Sequence, residues 1–528
     1  MIDALVPGRR SRVVAAALVG VTFLLGACAR EPASPAKLVV LAGRDVDGLD
    51  PHAAGALWQT QSLLSNVYET LITVDPSMTL VPQLAVSWSN PSETSWEFQL
   101  RPRIPFHSGG VLRSEDVVFS ILRARDHPKS ILREALADVV EARALVGDRV
   151  RIEMRHPDAF LCARLRDVYI ASQACVEQKG DAGFDGGSCG TGFYRVLSRK
   201  PGTSIALASF AEHWGAVASI TNVVVVPRRY GDPLAAPFIT PGSRLLFGAE
   251  PIPGGPLLQR ASKEADAHPQ PSLTITYLGF DLHGAETSGV RLPGGGRTNP
   301  FLDRRVREAI DLAIDRKAVL SSQRGLGFVP TQLIPPSVLG FDPALRAAPA
   351  DRVRARALLR ETPYPDGFGV DLVVRDLMNS FAEPVVEGLA AIGIRANVRS
   401  LPEDAYFKAL DAHEGSLYIL RFSCRGADAQ EFLDRWVHTA DRRMGYGEIN
   451  YSYDACPVPE LDAEIEGARR ELDAASRNSR LRSVMARVTA ERLAIPILHP
   501  SDCAYTSKDL AWTPRADGYW HFATARFQ

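Results

Sequence analysis

The sequence predicts an α/β fold with mixed sheets and several lobes. Apolar alternation of period two, as in Trp96-Glu97-Phe98-Gln99-Leu100 and Val150-Arg151-Ile152-Glu153-Met154, is interleaved with helical spacing from the start of the chain. The 528 residues exceed what one hydrophobic core usually spans, so two or three lobes are expected. Thr221 to Pro227 (TNVVVVP) is apolar throughout, which suits a strand covered on both faces.

Leu38 to Leu41 is a short buried strand, Leu49-Asp50-Pro51 turns the chain, and Trp58 to Thr73 reads as a helix burying Tyr68 and Leu71. A second helix begins at Ser114 as N-cap, with Glu115 and Asp116 on its positive end, and continues through Val118, Ile121 and Leu122. The glycine-dense turn Gly183 to Gly192 leads into the strand Phe193 to Leu197. Asp303 to Leu320 is an amphipathic helix with Val306, Ile310, Ala313 and Ile314 inward. Val370 to Val374 and Ile394 to Val398 are strands flanking a helix from Ala382 to Ile392, and further helices run from Pro459 to Leu472 and from Arg477 to Leu493.

Arg9, Arg10 and Arg12 precede an uncharged run from Val13 to Leu25, too short to span a bilayer and typical of a signal peptide. The run ends in Leu25-Gly26-Ala27-Cys28, which resembles a bacterial lipobox with Cys28 as the acylated residue; ordinary secretory cleavage is the alternative. The Pro/Ala-rich segment Glu31 to Lys37 is a tether. No second membrane span is expected. Lys and Arg (60) balance Asp and Glu (61), so no basic field for nucleic acid exists.

Cys162, Cys175, Cys189, Cys424, Cys456 and Cys503 remain beyond Cys28. Cys175 and Cys189, separated by a short Gly-rich loop, are the first candidates for a disulfide; the other four are either paired or buried thiols. The eleven histidines include no closely spaced pair of the HExxH kind, and no CxxC, GxSxG or Walker A motif occurs. Neither a metal centre nor a cofactor is expected, and the chain reads as a binding protein, not an enzyme.

Four separated blocks carry a resemblance. The first runs from Leu49-Asp50-Pro51 through Asn66-Val67-Tyr68-Glu69-Thr70-Leu71 and Pro82-Gln83-Leu84-Ala85 to Phe106-His107-Ser108-Gly109 and Ser114-Glu115-Asp116-Val117. The second is Gly190-Thr191-Gly192-Phe193-Tyr194 with His213-Trp214-Gly215, and the third Asn299-Pro300-Phe301-Leu302-Asp303 through Val306-Arg307-Glu308-Ala309-Ile310 to Asp315-Arg316. The fourth is Leu461-Asp462 with Arg477 and Ile495-Pro496-Ile497. Together they resemble the extracellular solute-binding proteins of family 5, the dipeptide, oligopeptide and nickel receptors of ABC importers. Each block also has a fold-forming reading: Gly190 and Gly192 permit close backbone approach, and Asp116 sits at a helix start.

The resemblance implies a two-lobed periplasmic-binding-protein fold, type II and cluster C-like, with mixed sheets and an additional third lobe. Residues 1–27 would be the signal peptide and 28–37 the lipidated tether. Residues 38–75, 189–276 and 496–528 would build lobe I, 76–188 the extra lobe II, and 277–495 lobe III. It also implies a monomer, held to the membrane only by its lipid, that captures a solute by closure and passes it to an ABC permease.

In peptide-binding relatives a Gly-Trp pair ends a lobe III strand, and an aspartate three residues past the Trp accepts the peptide ammonium. Here the matching run is Leu420-Arg421-Phe422-Ser423-Cys424-Arg425, so Phe422 stands for the Trp and Arg425 for the aspartate. A guanidinium cannot accept a hydrogen bond, but it grips carboxylate, sulfonate or phosphate through two parallel bonds, and Arg421 strengthens that preference. The ligand is therefore expected to carry an anionic group. Alternatively Asp428 or Glu431 takes the amine, or Arg425 pairs with an internal acid. Ser423, His499, Tyr277, and Gly55 in the loop Pro51 to Leu57 complete the expected wall. A haem or metal-chelate receptor using His52, His499 or a cysteine, and a secreted hydrolase with dispersed catalytic residues, are the rival readings.

Overall fold

The computed structural model describes residues 37–55, 57–180, 188–228, 232, 237, 244–249, 265–441 and 444–528. Cys28, the signal peptide, the tether up to residue 36 and half of the turn Gly183 to Gly192 lie outside the described residues.

The architecture is α/β with mixed sheets. The largest sheet runs in the order Val290–Arg291, Gly369–Arg375, Leu417–Ser423, Thr274–Phe280, Ala494–Ser507, Leu245–Ala249, Lys37–Leu41, Asn222–Val226, Ser204–Ser209, Tyr194–Lys200. Lys37–Leu41 pairs in parallel with both Asn222–Val226 and Leu245–Ala249, whereas Thr274–Phe280 pairs antiparallel with both neighbours. A separate antiparallel sheet holds Ala85–Ser92, Ser95–Leu100, Arg149–Met154 and Val139–Leu145.

Ala494–Ser507, 14 residues long, links the two halves of the large sheet. Its first part pairs with Thr274–Phe280, and its later part with Ala265–Pro271 and Leu245–Ala249. Two antiparallel stretches therefore run side by side from one apolar core into another. Among the described residues those cores are three. One draws on residues from Leu38 to Tyr68, Tyr169 to Val225 and Ala504 to Ala525; a second on Leu71 to Ile170; the third on Leu273 to Leu498 with Val74 and Met78. Among the described residues, no helix is long and apolar enough to cross a membrane.

Three sequence expectations are corrected. The first helix is Trp58–Val67, not Trp58 to Thr73: Tyr68 is extended, and Ile72–Val74 pairs with Leu80–Pro82 instead. Gly190 and Gly192 pack against this end: a Cβ would stand 2.2 Å from the Val67 carbonyl oxygen on Gly190 and 2.6 Å from that of Asn66 on Gly192, and the Gly192 N–H donates to the Val67 carbonyl at 3.0 Å. The second helix, Ser114–Asp126, is capped at Arg113 and not at Ser114; the Asp116 carboxylate accepts the Arg113 N–H at 3.0 Å. The stretch Asp303 to Leu320 is two helices, Arg304–Ala313 and Arg316–Ser322, each capped by an aspartate, Asp303 and Asp315, that accepts backbone N–H groups.

The quoted blocks prove to be joints. Glu69, 2% exposed, accepts hydrogen bonds from the Thr191 hydroxyl and the Trp214 indole at 2.8 Å each, and faces His213 at 3.3 Å. Asn66 accepts the Phe522 N–H at 2.9 Å, binding the first helix to the C-terminal segment. Arg307 donates to the carbonyls of Phe301, Glu491 and Arg492, satisfying the carbonyl end of helix Ala474–Glu491. Cys175 and Cys189 form a disulfide with Cα atoms 5.7 Å apart, while Cys162, Cys424, Cys456 and Cys503 are free thiols.

Candidate functional site

The strand Leu417–Ser423 ends in a tight turn. Ala427 takes a positive φ, its N–H donates to the Cys424 carbonyl at 2.9 Å, and Asp428 then caps the helix Ala429–Phe432. Arg425 stands on this turn. Its carbonyl accepts a hydrogen bond from Arg166, whose guanidinium lies 3.4 Å from Asp517. The turn is thus pinned by the segment around residue 166 and by the C-terminal segment.

Beside it opens a cavity of about 1130 Å³. One wall comes from residues 125–167, the other from residues 425–448 and Arg469. Both signs of charge line it: Arg164, Arg425, Arg435 and Arg469 against Asp167, Glu431, Asp434 and Glu448. Burial raises the pKa of Asp167, opposed by Arg166 and Arg425; burial likewise raises Glu431, opposed by Arg435 and by the Gly426 N–H, which donates to it at 2.7 Å. Asp434 is also raised by burial. One of its oxygens accepts from Gln430 at 2.6 Å; the other has no hydrogen-bond partner among the described residues and faces Arg164 and Arg469 at 3.7 and 3.8 Å.

The walls also touch. Phe160 packs against Gly426, and the Ala159 N–H donates to the Arg469 carbonyl at 2.9 Å. Arg469 reaches Asp158 at 3.2 Å and Asp138 at 3.4 Å, and Asp158 also pairs with Arg164. Burial would raise the Asp158 pKa, yet the charges of Arg164 and Arg469 outweigh it and hold the carboxyl below its ordinary value.

The structure distributes the expected wall residues as follows. Arg425 lines the cavity. Phe422 is buried and packs edge-to-face on Phe432 at 5.2 Å, with the Arg435 guanidinium 5.9 Å from its ring. Arg421 lies over the Phe381 ring, and the Ser423 hydroxyl meets that of Thr274 at 2.8 Å. Tyr277 is wholly buried in the third core, 5.3 Å from Trp436, because its strand is central and covered on both faces; it is a core residue. His499 is buried against the Thr274 carbonyl at 3.3 Å, and burial lowers its pKa to about 4. Gly55 packs on the Asp47 carboxylate, and its carbonyl accepts from Gln61; it is absent from the cavity wall. Asp428 is held bidentately by Arg477 at 2.6 and 3.0 Å, which removes it as an amine acceptor, whereas Glu431 lines the cavity.

Arg164, Asp167, Asp434 and Arg469 were not anticipated. Asp434 and Arg435 follow Phe432-Leu433 closely enough for that acid–base pair to have signalled them. Arg164 and Asp167 lie more than 250 residues before Arg425, and only the packing of separate cores brings them in, whereas Arg469 lies 44 residues after it on the helix Leu461–Arg470.

Residues 79–443 match the model of the bacterial extracellular solute-binding proteins, family 5 Middle. The chain is 24% identical over 506 residues to di/tripeptide-binding protein 2 of Pseudomonas aeruginosa (strain UCBPP-PA14), covering 89% of this chain and 90% of that one. It is 26% identical over 405 residues to the glutathione-binding protein GsiB of Shigella dysenteriae serotype 1, covering 74% of each. The solved structure of HbpA2 from Haemophilus parasuis superimposes with a TM-score of 0.77 at 18% identity, covering 94% of this chain and all of that one.

Proposed function

Because the chain belongs to the bacterial extracellular solute-binding proteins of family 5, a family of transport binding proteins and not enzymes, we propose that it captures a small solute bearing an anionic group and delivers it unchanged to an ABC permease. The observation that carries this reading is Arg425 at the cavity wall within electrostatic reach of Asp167 and Glu431. Arg425 suits a carboxylate, and the two acids suit an ammonium, so the solute is peptide-like and zwitterionic. The relatives named for di/tripeptides and for glutathione support that class.

In this reading the three apolar cores belong mainly to lobe I (38–75, 189–276, 496–528), lobe II (76–188) and lobe III (277–495), with Tyr169 and Val176 packing into the first, Leu71 and Ile72 into the second, and Val74, Met78, Leu273, Ile275, Ile497 and Leu498 into the third. Lobe III closes on the other two about the paired strands, and the contacts of Phe160, Arg166 and Arg469 are closure contacts. The protein is a monomer of the periplasm and cell envelope, anchored by acylated Cys28.

Isothermal titration with a panel of di- and tripeptides and their C-terminal amides tests the assignment. Amidation is expected to weaken binding to wild type by about 10-fold or more, and to matter little in Arg425→Ala. Equal losses in both proteins would show that Arg425 is not the carboxylate partner.

A further inference from the structure

At the end of the strands Thr274–Phe280 and Leu417–Ser423 opposite Arg425, three loops converge. The Asp281 N–H donates to the Ser416 carbonyl at 3.0 Å, and the Leu282 N–H to the Ser452 carbonyl at 2.7 Å. Seven-residue strands at about 3.3 Å per residue separate this place from the cavity by roughly 20 Å.

His283 is oriented there with unusual completeness. The buried Asp281 carboxylate accepts from the His283 backbone N–H at 3.1 Å and lies 2.9 Å from its Nδ1. Its second oxygen accepts the Thr287 hydroxyl at 2.5 Å, so the carboxylate itself cannot swing away. With the proton on Nδ1, Nε2 carries the lone pair. That atom is buried and has no hydrogen-bond partner among the described residues. It faces Asp454 at 3.7 Å, and the His413 ring is centred 3.5 Å from that of His283. His413 has a left-handed backbone with a φ of 53°, a conformation that histidine adopts more readily than most side chains. One ligand atom from each of His283, His413 and Asp454 lies within 4.8 Å of the others.

We propose that His283, His413 and Asp454 form a binding site for a divalent transition metal of the zinc class, with Asp281 as the positioning residue. Two imidazoles and one carboxylate select Zn²⁺, Ni²⁺ or Cu²⁺ over the all-oxygen preference of Ca²⁺ and Mg²⁺. A carboxylate on the far nitrogen of a histidine fixes its tautomer and raises its basicity, which is the supporting arrangement such ligands need. Three protein ligands leave a position for water. The site ties together the loop after Thr274–Phe280, the loop before Leu417–Ser423 and the segment carrying Asp454, and it is independent of the solute cavity.

Titration of Zn²⁺ into the full chain, prepared without a histidine tag, tests the proposal alongside thermal melting. One Zn²⁺ per chain and a raised Tm are expected for wild type. His283→Ala and His413→Asn are expected to weaken binding by at least 10-fold; asparagine tolerates the left-handed backbone at residue 413, so that variant keeps the zinc-free Tm. Asp281→Asn keeps all three ligands and is expected to lose about 10–100-fold in affinity. Absence of saturable one-to-one binding in wild type, or wild-type affinity in His413→Asn, would overturn the site.

Discussion

At the scale of single residues, Arg425 was legible because it sits in one continuous run, strand then turn then helix, that can be laid against relatives. Its surroundings were not. Asp167 reaches it only through the docking of separate cores, and Arg469 through the packing of helix Leu461–Arg470 in the same core, and no local pattern announces either. Tyr277 was misjudged because its strand is central, so alternation gave no clue to which face meets solvent. Two charge effects can be measured at this scale. The carboxyls of Asp167, Glu431 and Asp434 are raised mainly by burial, so they gain protons first as pH falls, leaving the arginines in excess. Affinity for an anionic solute is therefore expected to rise, and for a cationic one to fall, as pH drops towards that raised range; titration calorimetry at several pH values checks it. His52 and His499 are held neutral by burial, with pKa values lowered to about 4. The unfolded chain takes up protons near pH 6.5 and the folded one only near 4, so their contribution to stability is present above about pH 6.5 and lost on descent towards 4. A Tm that falls across that window is expected, and a flat profile would contradict it.

At the scale of elements, the blocks that identified the family turned out to hold pieces together. Gly190 and Gly192 lie against the backbone that ends the first helix, so Gly190→Ala is expected to cost about 1–3 kcal/mol in denaturant unfolding. Helix ends were less legible than helix existence. Asp315 splits a continuous apolar pattern because its side chain offers the backbone a fresh start, and periodicity alone does not see a cap. Asp428 and Arg477, each 6% exposed in the side chain, join the turn after Arg425 to the helix Ala474–Glu491. Arg477→Met would leave a buried carboxylate uncompensated, an expected loss of about 3–5 kcal/mol measurable by denaturant unfolding. The disulfide closes a loop with 14 residues of sequence separation, and replacing both cysteines by serine is expected to cost about 3 kcal/mol.

At the scale of the whole molecule, Ala494–Ser507 and the strands beside it carry the chain between cores, and this connection is the expected hinge. Across the cavity, Arg469 and Arg164 meet Asp138, Asp158 and Asp434. Moving such an equilibrium from 1:99 to 99:1 takes about 5.5 kcal/mol of differential affinity, so closure contacts and solute must act together. Arg469→Met is expected to favour the open state and to weaken solute binding, with a larger radius of gyration in solution scattering. A binding protein of this kind takes its guest into the Arg425 cavity and releases it as it came. Native mass spectrometry of the protein purified from its host, compared with Arg425→Ala, asks this directly. One small molecule per wild-type chain, released at an unaltered mass and depleted in the variant, is the expected result; a guest retained equally by the variant, or converted on standing, would contradict it.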